Sequence, residues 1–345
     1  MATWEHVVCR AKPDTATVNQ NSMSQFDRVS MASNTEGNRM NLPTLRHALF
    51  LAAVFGLGTL PHSLAAQSSS PIFTDTFESG GFGHSQNGFR WGSPNRTSIV
   101  RDDGCAVHIN PPRCVEGNPG EWENGPGVAG RHSMRFRYPA LEPWSEQRFN
   151  IGGSYPELWM SFWIRVPINY VHENAMGTGD NNKLFALWAD SYSSGPVIVG
   201  GLWRDPATNS TRFGIATTQT TLGQTGFVMA EGIFWRNPED RGRWMHFVTQ
   251  AKFSETGDTT SGLVRTWSRW EDATDYTLLV ERGNYEFTAQ PGGNTGWSGG
   301  YLMGWANSGY AETTEFLIDD VALSTQPLFA AGAAKPKPPQ DAKAE

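Results

Sequence analysis

The chain has 345 residues, a formal net charge of −7 and 18% charged residues. An acidic chain without basic runs argues against nucleic acid as the partner. The sequence also contains 14 tryptophans and 37 glycines, a combination that favours an all-β protein in which glycine-rich turns join aromatic strands.

Residues 40–66 carry the features of a secretory signal peptide. A short basic start precedes an apolar run, 48–60, and small residues at 63–66 follow as a cleavage site. The apolar run is short for a transmembrane helix; a buried helix and a membrane anchor are the alternatives. Because a signal peptide must begin the chain, we interpret residues 1–39 as a mis-assigned extension and Met40 as the true start. This reading predicts a secreted or periplasmic protein.

Two cysteines follow in the early part of the exported chain. Cys105 and Cys114 lie in a segment rich in proline, asparagine and glycine. Paired cysteines in an exported protein predict a disulfide, here a structural one that closes a short loop.

Residues 70–328 are predicted to form one domain of short strands. No segment shows a sustained apolar period of 3.6 residues, so little helix is expected, and two packed antiparallel sheets are the natural arrangement. Residues 329–345 are predicted to be a disordered low-complexity tail. The candidate strands are 132–139, 146–152, 157–167, 182–190, 196–203, 211–218, 243–253, 262–270, 300–307 and 315–324.

The segment 157–167, ELWMSFWIRVP, shows the strictest alternation of side chains between the two sides of an extended strand. One side is aliphatic and predicts a core, whereas the other carries Trp159, Trp163 and Arg165. Sugar rings have apolar faces that stack on aromatic planes, so this second side predicts a carbohydrate groove. The alternative is a second buried layer, with protein covering both sides of the strand.

Other segments present similar groups on the side away from their apolar residues. Alternation places Arg148 and His246 on the groove side of their strands, and it places Tyr301, Met303 and Trp305 together on another. We therefore expect these strands to line the same groove as the segment 157–167.

The ends of the predicted domain carry the patterns IFTDTFESG (72–80) and EFLIDDVALS (315–324), with W-x-H-x-V-x-x-x-K-x-S and G-x-V-x-x-W between them. These motifs resemble the concanavalin A-like lectin/glucanase superfamily. They are most similar to its branch of polysaccharide lyases of the heparin lyase I and glucuronan lyase type. The resemblance implies an all-β, β-jelly roll sandwich of two antiparallel sheets with a concave carbohydrate-binding groove.

The motifs of glycoside hydrolases and of zinc metalloproteases are absent from the sequence. No E-x-D-x-x-E run supplies the paired carboxylates of glycoside hydrolysis, and no HExxH run occurs. β-Elimination from a uronate needs a group that neutralises the substrate carboxylate and groups that move protons to and from the sugar. The candidates are Arg148, Tyr170, His172, Lys183, His246 and Tyr301 for catalysis, and Trp159, Trp163, Arg165, Asn182 and Trp305 for substrate binding.

The sequence departs from the implied lyase pattern at one place. The resemblance implies a penultimate strand of the form K-x-G-x-Y, with the tyrosine active in proton transfer. The matching run here is Tyr301-Leu302-Met303-Gly304-Trp305, so a tryptophan occupies the tyrosine position. Tyr301, Tyr170 or Tyr310 would then take the role, or the site is built differently, or the protein only binds sugar.

Four carboxylates near the two ends form a candidate calcium site. The implied fold places the first and last strands side by side, so Asp75, Glu78, Asp319 and Asp320 could meet and hold a structural Ca²⁺ through oxygen ligands. The alternative is one aspartate bound to a turn amide, with the others solvated.

Together these features predict a secreted, monomeric polysaccharide lyase that cleaves an anionic, uronate-containing polysaccharide and, once the signal is removed, contacts no membrane. A non-catalytic, lectin-like carbohydrate-binding protein is the alternative. A third possibility is a surface protein that uses the sandwich for protein contacts.

Overall fold

The computed structural model describes residues 71–101, 105–106, 113–114, 132–218, 225–256, 258, 260–289 and 291–329. These residues form strands and turns without an α-helix, and within them no helix could span a membrane. The predicted extension, the signal peptide and the tail beyond residue 329 lie outside the described residues, so the domain boundaries drawn there stay predictions.

The strands 144–155 and 262–270 alternate between buried and more exposed positions over part of their length, as the period-2 pattern predicts, whereas the strands 157–165, 181–188 and 244–252 are buried at nearly every position. Their bounds are β1 Phe73–Asp75, β2 Arg90–Trp91, β3 Thr97–Arg101, β4 Cys105–Ala106, β5 Arg113–Cys114, β6 His132–Tyr138, β7 Trp144–Tyr155, β8 Glu157–Arg165, β9 Asn181–Trp188, β10 Val197–Asp205, β11 Ser210–Thr218, β12 Thr225–Met229, β13 Trp244–Lys252, β14 Gly262–Trp270, β15 Thr277–Tyr285, β16 Trp297–Trp305 and β17 Thr314–Ser324.

The strands form two antiparallel sheets. Sheet A has the order β15-β14-β13-β8-β17-β6-β3-β4-β5, with β1 also paired to β17, and sheet B has the order β12-β11-β10-β9-β16-β7-β2. The first and last strands are therefore neighbours, as expected. This arrangement confirms the predicted all-β, jelly-roll sandwich of two antiparallel sheets.

Aromatic side chains join the inner faces of the two sheets. Phe247 of β13 in sheet A lies 5.7 Å from Phe185 of β9 and 5.3 Å from Phe213 of β11, both in sheet B, between ring centroids. All three side chains are fully buried. Burying each contributes about 1.5–3 kcal/mol, so the core fixes how the two sheets stack.

The backbone pairs the two cysteines for which a disulfide is predicted. In the β4–β5 ladder, Cys105 lies opposite Cys114. This register places the two Cα atoms next to each other, as a disulfide requires. The disulfide itself stays a prediction.

Candidate functional site

The two sheets separate the predicted site residues into two groups. A side chain on the outer face of one sheet cannot share a surface with one on the outer face of the other, because the core lies between them. The expectation of one groove shared by all these residues is therefore wrong. Sheet B carries Arg148, Lys183, Tyr301 and Trp305, whereas sheet A carries Trp159, Trp163, Arg165 and His246.

Three predicted site residues lie in the interior. The Tyr170 hydroxyl is 2.7 Å from Thr211 Oγ1, His172 Nδ1 is 3.0 Å from the same atom, and Asn182 Nδ2 donates to the Tyr310 hydroxyl at 3.2 Å. Burial raises the pKa of Tyr170 well above its usual value and lowers the pKa of His172 to about 3. Tyr170 and Tyr310 belong to the main core, and His172 and Asn182 hydrogen-bond to the buried Thr211 and Tyr310. Neither outer face carries these side chains, so the site roles predicted for Tyr170, His172 and Asn182 are wrong. The same burial excludes Tyr310 as the reactive tyrosine.

On the outer face of sheet A, Trp159 is covered by protein. Its ring is stacked on Trp267 at 5.5 Å and meets the edge of Phe329 at 5.6 Å, which leaves it 5% exposed. For Trp159 the alternative of a second buried layer is therefore the correct one. Phe329, assigned to the tail by its sequence, packs here against the sheet. Further along the same strand, Arg165 Nε donates to the Gly242 carbonyl at 3.0 Å.

His246 and Trp163 are neighbours on that same face. Their rings lie 5.0 Å apart, and His246 Nδ1 is 2.5 Å from the Tyr276 hydroxyl. Burial, followed by the nearby charge of Arg269, lowers the pKa of His246 to about 3. His246 is therefore neutral at physiological pH, and it lies on a different sheet from Arg148.

Of the four predicted calcium ligands, Asp75 is already engaged. Its two carboxylate oxygens accept hydrogen bonds from the Trp91 indole and from the backbone N–H of Phe77, each at 2.8 Å. This arrangement matches the part of the alternative in which one aspartate binds a turn amide. The part in which the other carboxylates are solvated is wrong for Asp319, which is buried.

The other three carboxylates influence one another. Burial raises the pKa of Asp319 to about 8 and that of Asp320 to about 6, and the charge of Glu78 adds to both shifts. Within the described ranges, no group of three or more His, Cys, Asp or Glu side chains has the geometry of a metal site. The calcium site therefore stays a prediction.

The outer face of sheet B presents one continuous row of side chains. Register pairs them across six strands, and five steps of about 4.8 Å give a row about 24 Å long. Small residues occupy its middle, while an aromatic group and an arginine occupy its ends. From β12 to β7 the row is Phe227, Ala216, Val199, Ala186, Tyr301 and Arg148.

Tyr301 lies at the centre of a cluster of polar and aromatic side chains. Its ring centroid is 5.5 Å from that of Tyr192 and 5.9 Å from that of Trp188, and Lys183 Nζ lies 5.3 Å from the Tyr192 ring centre. Burial, and then the neighbouring Tyr192 and Glu146, hold the pKa of Tyr301 well above its usual value. Tyr301 is therefore a protonated phenol at neutral pH.

Sequence reasoning missed Tyr192. It belongs to the loop 189–196 between β9 and β10, and this loop folds back so that Tyr192 covers Tyr301, which is 1% exposed. Alternation within strands cannot reveal such a contact. The one available signal was an aromatic residue within a serine-rich loop next to the strand that carries Lys183.

An irregular backbone at the end of β16 brings Lys183 next to Tyr301. Met303 has φ 57° and Gly304 has φ 135°, which interrupts the alternation, and Met303 packs into the core. The prediction that Met303 lines the groove is therefore wrong. A Cβ on Gly304 would lie 2.9 Å from Tyr301 Cε2 and 3.3 Å from Lys183 Cβ. Only glycine leaves room for this approach.

Arg148 stands beside this cluster on β7. Its Nε donates to Glu146 Oε1 at 2.6 Å, and its guanidinium carbon lies 5.9 Å from the centre of the Trp188 ring. The Arg148 side chain is about half exposed, whereas Glu146 is buried. Glu146 thus fixes the orientation of a guanidinium that still faces solvent.

Aromatic pairs flank the cluster on both sides. Trp144 and Trp305 lie 6.0 Å apart on β7 and β16, and Trp203 and Phe227 lie 5.0 Å apart on β10 and β12. Trp144 is 41% exposed and Phe227 is 45% exposed. Sheet B therefore presents open aromatic surfaces on either side of a buried, charged centre.

No family model matches the sequence, and no curated protein matches it. The chain is similar to three solved structures among others. Alginate lyase Aly36B is 9% identical, with a TM-score of 0.40 over 67% of this chain and 97% of that chain. Alginate lyase vAL-1 from Chlorella virus is 8% identical, with a TM-score of 0.42 over 74% of this chain and 99% of that chain. The cellulose induced protein Cip1 is 12% identical, with a TM-score of 0.42 over 75% of this chain and 99% of that chain. Similarity of this degree assigns neither activity nor substrate to this chain.

Proposed function

We propose that the outer face of sheet B binds an anionic, uronate-containing polysaccharide and cleaves it by β-elimination. The observation that supports this proposal is the grouping of Arg148, Lys183, Tyr192 and Tyr301 on one surface between two aromatic pairs. The signal peptide predicted at residues 40–66 would deliver the protein to the polymer outside the cytoplasm.

The aromatic pairs would hold the polymer. Trp144 with Trp305 on one side and Trp203 with Phe227 on the other offer planar surfaces for the apolar faces of sugar rings. The small residues of the central row, Ala186 and Ala216 among them, leave space for a chain to lie across the strands.

Arg148 would neutralise the uronate carboxylate next to the bond that is cleaved. Glu146 engages Nε, so the two Nη atoms can form a bidentate pair with a substrate carboxylate. Neutralising that carboxylate makes the C5 proton more acidic, because the charge that develops on removing the proton is stabilised. This interaction strengthens in the transition state and should therefore act on turnover.

Proton transfer would fall to the three groups at the centre. Lys183 and Tyr192 lie side by side, where either can accept the C5 proton, and Tyr301 is a protonated phenol that can donate to the departing glycosidic oxygen. The C5–H and C4–O bonds break, a C4–C5 double bond forms, and the leaving oxygen receives a proton. Because Tyr192 covers Tyr301, the loop 189–196 must shift for the substrate to reach it.

The decisive experiment measures the unsaturated product. Alginate, glucuronan, heparin-type and pectic polysaccharides are each incubated with the protein, and the ultraviolet absorbance of the conjugated uronate is followed. We expect one of them to give product, Tyr301→Phe to abolish product formation, and Tyr276→Phe on sheet A to retain it. Absence of unsaturated product from every uronate polymer would contradict the proposal.

One observation favours a lectin-like protein instead. The groups that would react have little exposed surface, with Tyr301 at 1% and Lys183 at 8%, whereas Trp144 and Phe227 are widely exposed. Saturable binding of a polysaccharide that needs Trp144, together with no unsaturated product, would establish this second function.

A further inference from the structure

A cavity of about 450 Å³ opens on the outer face of sheet A, the layer opposite Arg148. Trp163, His246 and Arg269 form one side of it, Ser161 lies between the strands at its base, and Asp320 and Phe329 border it elsewhere. Its volume lies in the range of small-molecule sites and is far too small for a polysaccharide chain.

Cross-strand register builds one side of the cavity. Trp163, His246 and Arg269 are successive neighbours on β8, β13 and β14, and the Arg269 guanidinium lies 5.2 Å from the Trp163 ring centre. Arg269 Nη1 donates to the Ala273 carbonyl at 2.7 Å, and Tyr276 holds His246 through Nδ1. Both polar side chains are thus fixed in orientation before any ligand binds.

Small residues and a strand irregularity leave the space open. Ser161 on β8 pairs with Ala322 on β17, so no large side chain rises from the centre. The β17 register shifts between Asp319 and Ala322, where Asp320 adopts φ 47°. Such bulges redirect side chains, and Asp320 borders the cavity.

Several polar groups around the cavity have no partner within the described part of the chain. Arg269 Nε is buried without a hydrogen bond, and none is formed by His246 Nε2, Ser161 Oγ or the Asp320 carboxyl. Of these four groups, only Arg269 Nε is a buried atom without a partner. Buried polar groups are normally satisfied, so this atom, beside three further polar groups that form no hydrogen bond, points to a polar occupant.

We propose that this cavity binds a neutral pyranose sugar, as a free monosaccharide or as the end residue of a neutral oligosaccharide. A sugar offers hydroxyls that both donate and accept, which matches a guanidinium, a neutral imidazole, a hydroxyl and a carboxyl arranged around an indole. Arg269 and Asp320 carry opposite charges, and both carboxylate oxygens of Asp75, which also lines the cavity, accept hydrogen bonds from Trp91 and Phe77. The lining therefore offers no single free charge to select an ion. The site is independent of the anionic polymer proposed for sheet B.

The test is calorimetric titration of the full protein with glucose, galactose, mannose and xylose, alongside glucuronate and glucosamine. We expect one neutral sugar to bind more tightly than both charged sugars. Preference for glucuronate or glucosamine would overturn the neutral class, and no binding of any neutral sugar would leave water as the occupant and overturn the site.

Substitutions at Ser161 test whether the sugar binds in this cavity. Ser161→Leu should fill the base of the cavity and weaken sugar binding more than tenfold, whereas Ser161→Ala keeps the space and should cost about tenfold at most. Arg148→Ala on sheet B should leave neutral-sugar binding unchanged. An unchanged affinity in Ser161→Leu would overturn the assignment.

A measurement on the unaltered protein covers the case in which Ser161→Leu fails to fold. Nitrogen-15 resonances of the histidine rings report hydrogen bonding at His246 Nε2, which we expect to shift on saturation with the bound sugar, while His172, buried elsewhere, should not. A shift at neither histidine despite saturable binding would place the sugar outside this cavity and contradict the proposal.

Discussion

The outer faces of both sheets carry tryptophan and other aromatic side chains, but Trp159 on one sheet is buried, whereas Trp144 on the other is exposed. On sheet A, Trp159 of β8 lies beneath Phe329 and against Trp267, with 5% of its surface exposed. On sheet B, Trp144 and Phe227 are 41% and 45% exposed. Aromatic residues that point away from the core are thus a covered layer on one sheet and an open surface on the other.

The difference lies in the segments that cross each face. The residues after β17 return over sheet A and place Phe329 against Trp159, Trp267 and Tyr276. On sheet B, the loop 189–196 covers only the central Tyr301 and leaves the flanking aromatic pairs open. Coverage by distant segments, more than the composition of a strand, decides whether an outward aromatic residue stabilises the fold or binds a ligand.

Replacing one tryptophan on each face gives the largest expected contrast. Trp159→Ala should lower the free energy of unfolding by about 3–5 kcal/mol, because it leaves a cavity where the indole packs against Trp267. Trp144→Ala should change it by about 0.5 kcal/mol or less and weaken polysaccharide binding by about 1 kcal/mol. Urea unfolding and binding isotherms measure the two effects. A stable Trp159→Ala protein would show that the covered layer is not structural.

Removing Arg148 tests the open face. Arg148→Ala should lower turnover of the uronate polymer about 100- to 1,000-fold, with a smaller effect on binding, because the guanidinium acts on charge that develops during the reaction. Arg90→Ala is the matched control, since Arg90 is exposed on the same sheet and pairs with Asn150 outside the central row. Equal losses in the two variants would argue for general charge attraction.

Gly304→Ala should disturb the cluster and the backbone together. At φ 135° an added Cβ is strained and lies 2.9 Å from Tyr301, so we expect a loss of about 1–3 kcal/mol in stability and a loss of activity. Gly232→Ala is the control, because Gly232 has φ 76° with open space around it. It should cost stability without changing activity. Full activity in Gly304→Ala would contradict the need for close approach here.

The pH dependence of stability should show the buried carboxyl of Asp319. Burial raises its folded-state pKa from 3.8 to about 8, so between about pH 4 and about pH 8 the folded state holds a proton that the unfolded state has lost. Stability should fall with rising pH across that window, by at most about 1.4 kcal/mol per pH unit for this group. Asp319→Asn should reduce this decrease in stability with pH, whereas the control Asp275→Asn, at an exposed residue, should leave it unchanged. A slope unchanged by Asp319→Asn would reject this assignment.

The predicted calcium ion would bind the same carboxyl group together with its neighbours. If Glu78, Asp319 and Asp320 hold the predicted ion, chelation should lower the melting temperature by a few degrees, because an ion that binds only the folded state stabilises it. Glu78→Gln should remove that response. A melt unaffected by excess chelator would exclude a structural calcium.

The sequence alone determined the class of fold and many of its strands, although β12 and β15 were not among the predicted segments. Alternation is a local property, so the segments from 132–139 to 315–324 could be recognised without knowledge of their partners, and β6, β8 and β13 appear where predicted. The end patterns also indicated that the first and last strands are neighbours, and β1 pairs with β17.

Only the tertiary structure decided which of these residues share a surface. Alternation separates the two sides of a strand, but it says nothing about the sheet to which the strand belongs or about what covers it. Alternation therefore predicts one groove for Trp163 and Arg148, which lie on opposite sheets, and a site role for Tyr170, which is buried. Tyr192 meets Tyr301 only because a loop folds back across sheet B, a contact between residues distant in sequence that no local pattern encodes.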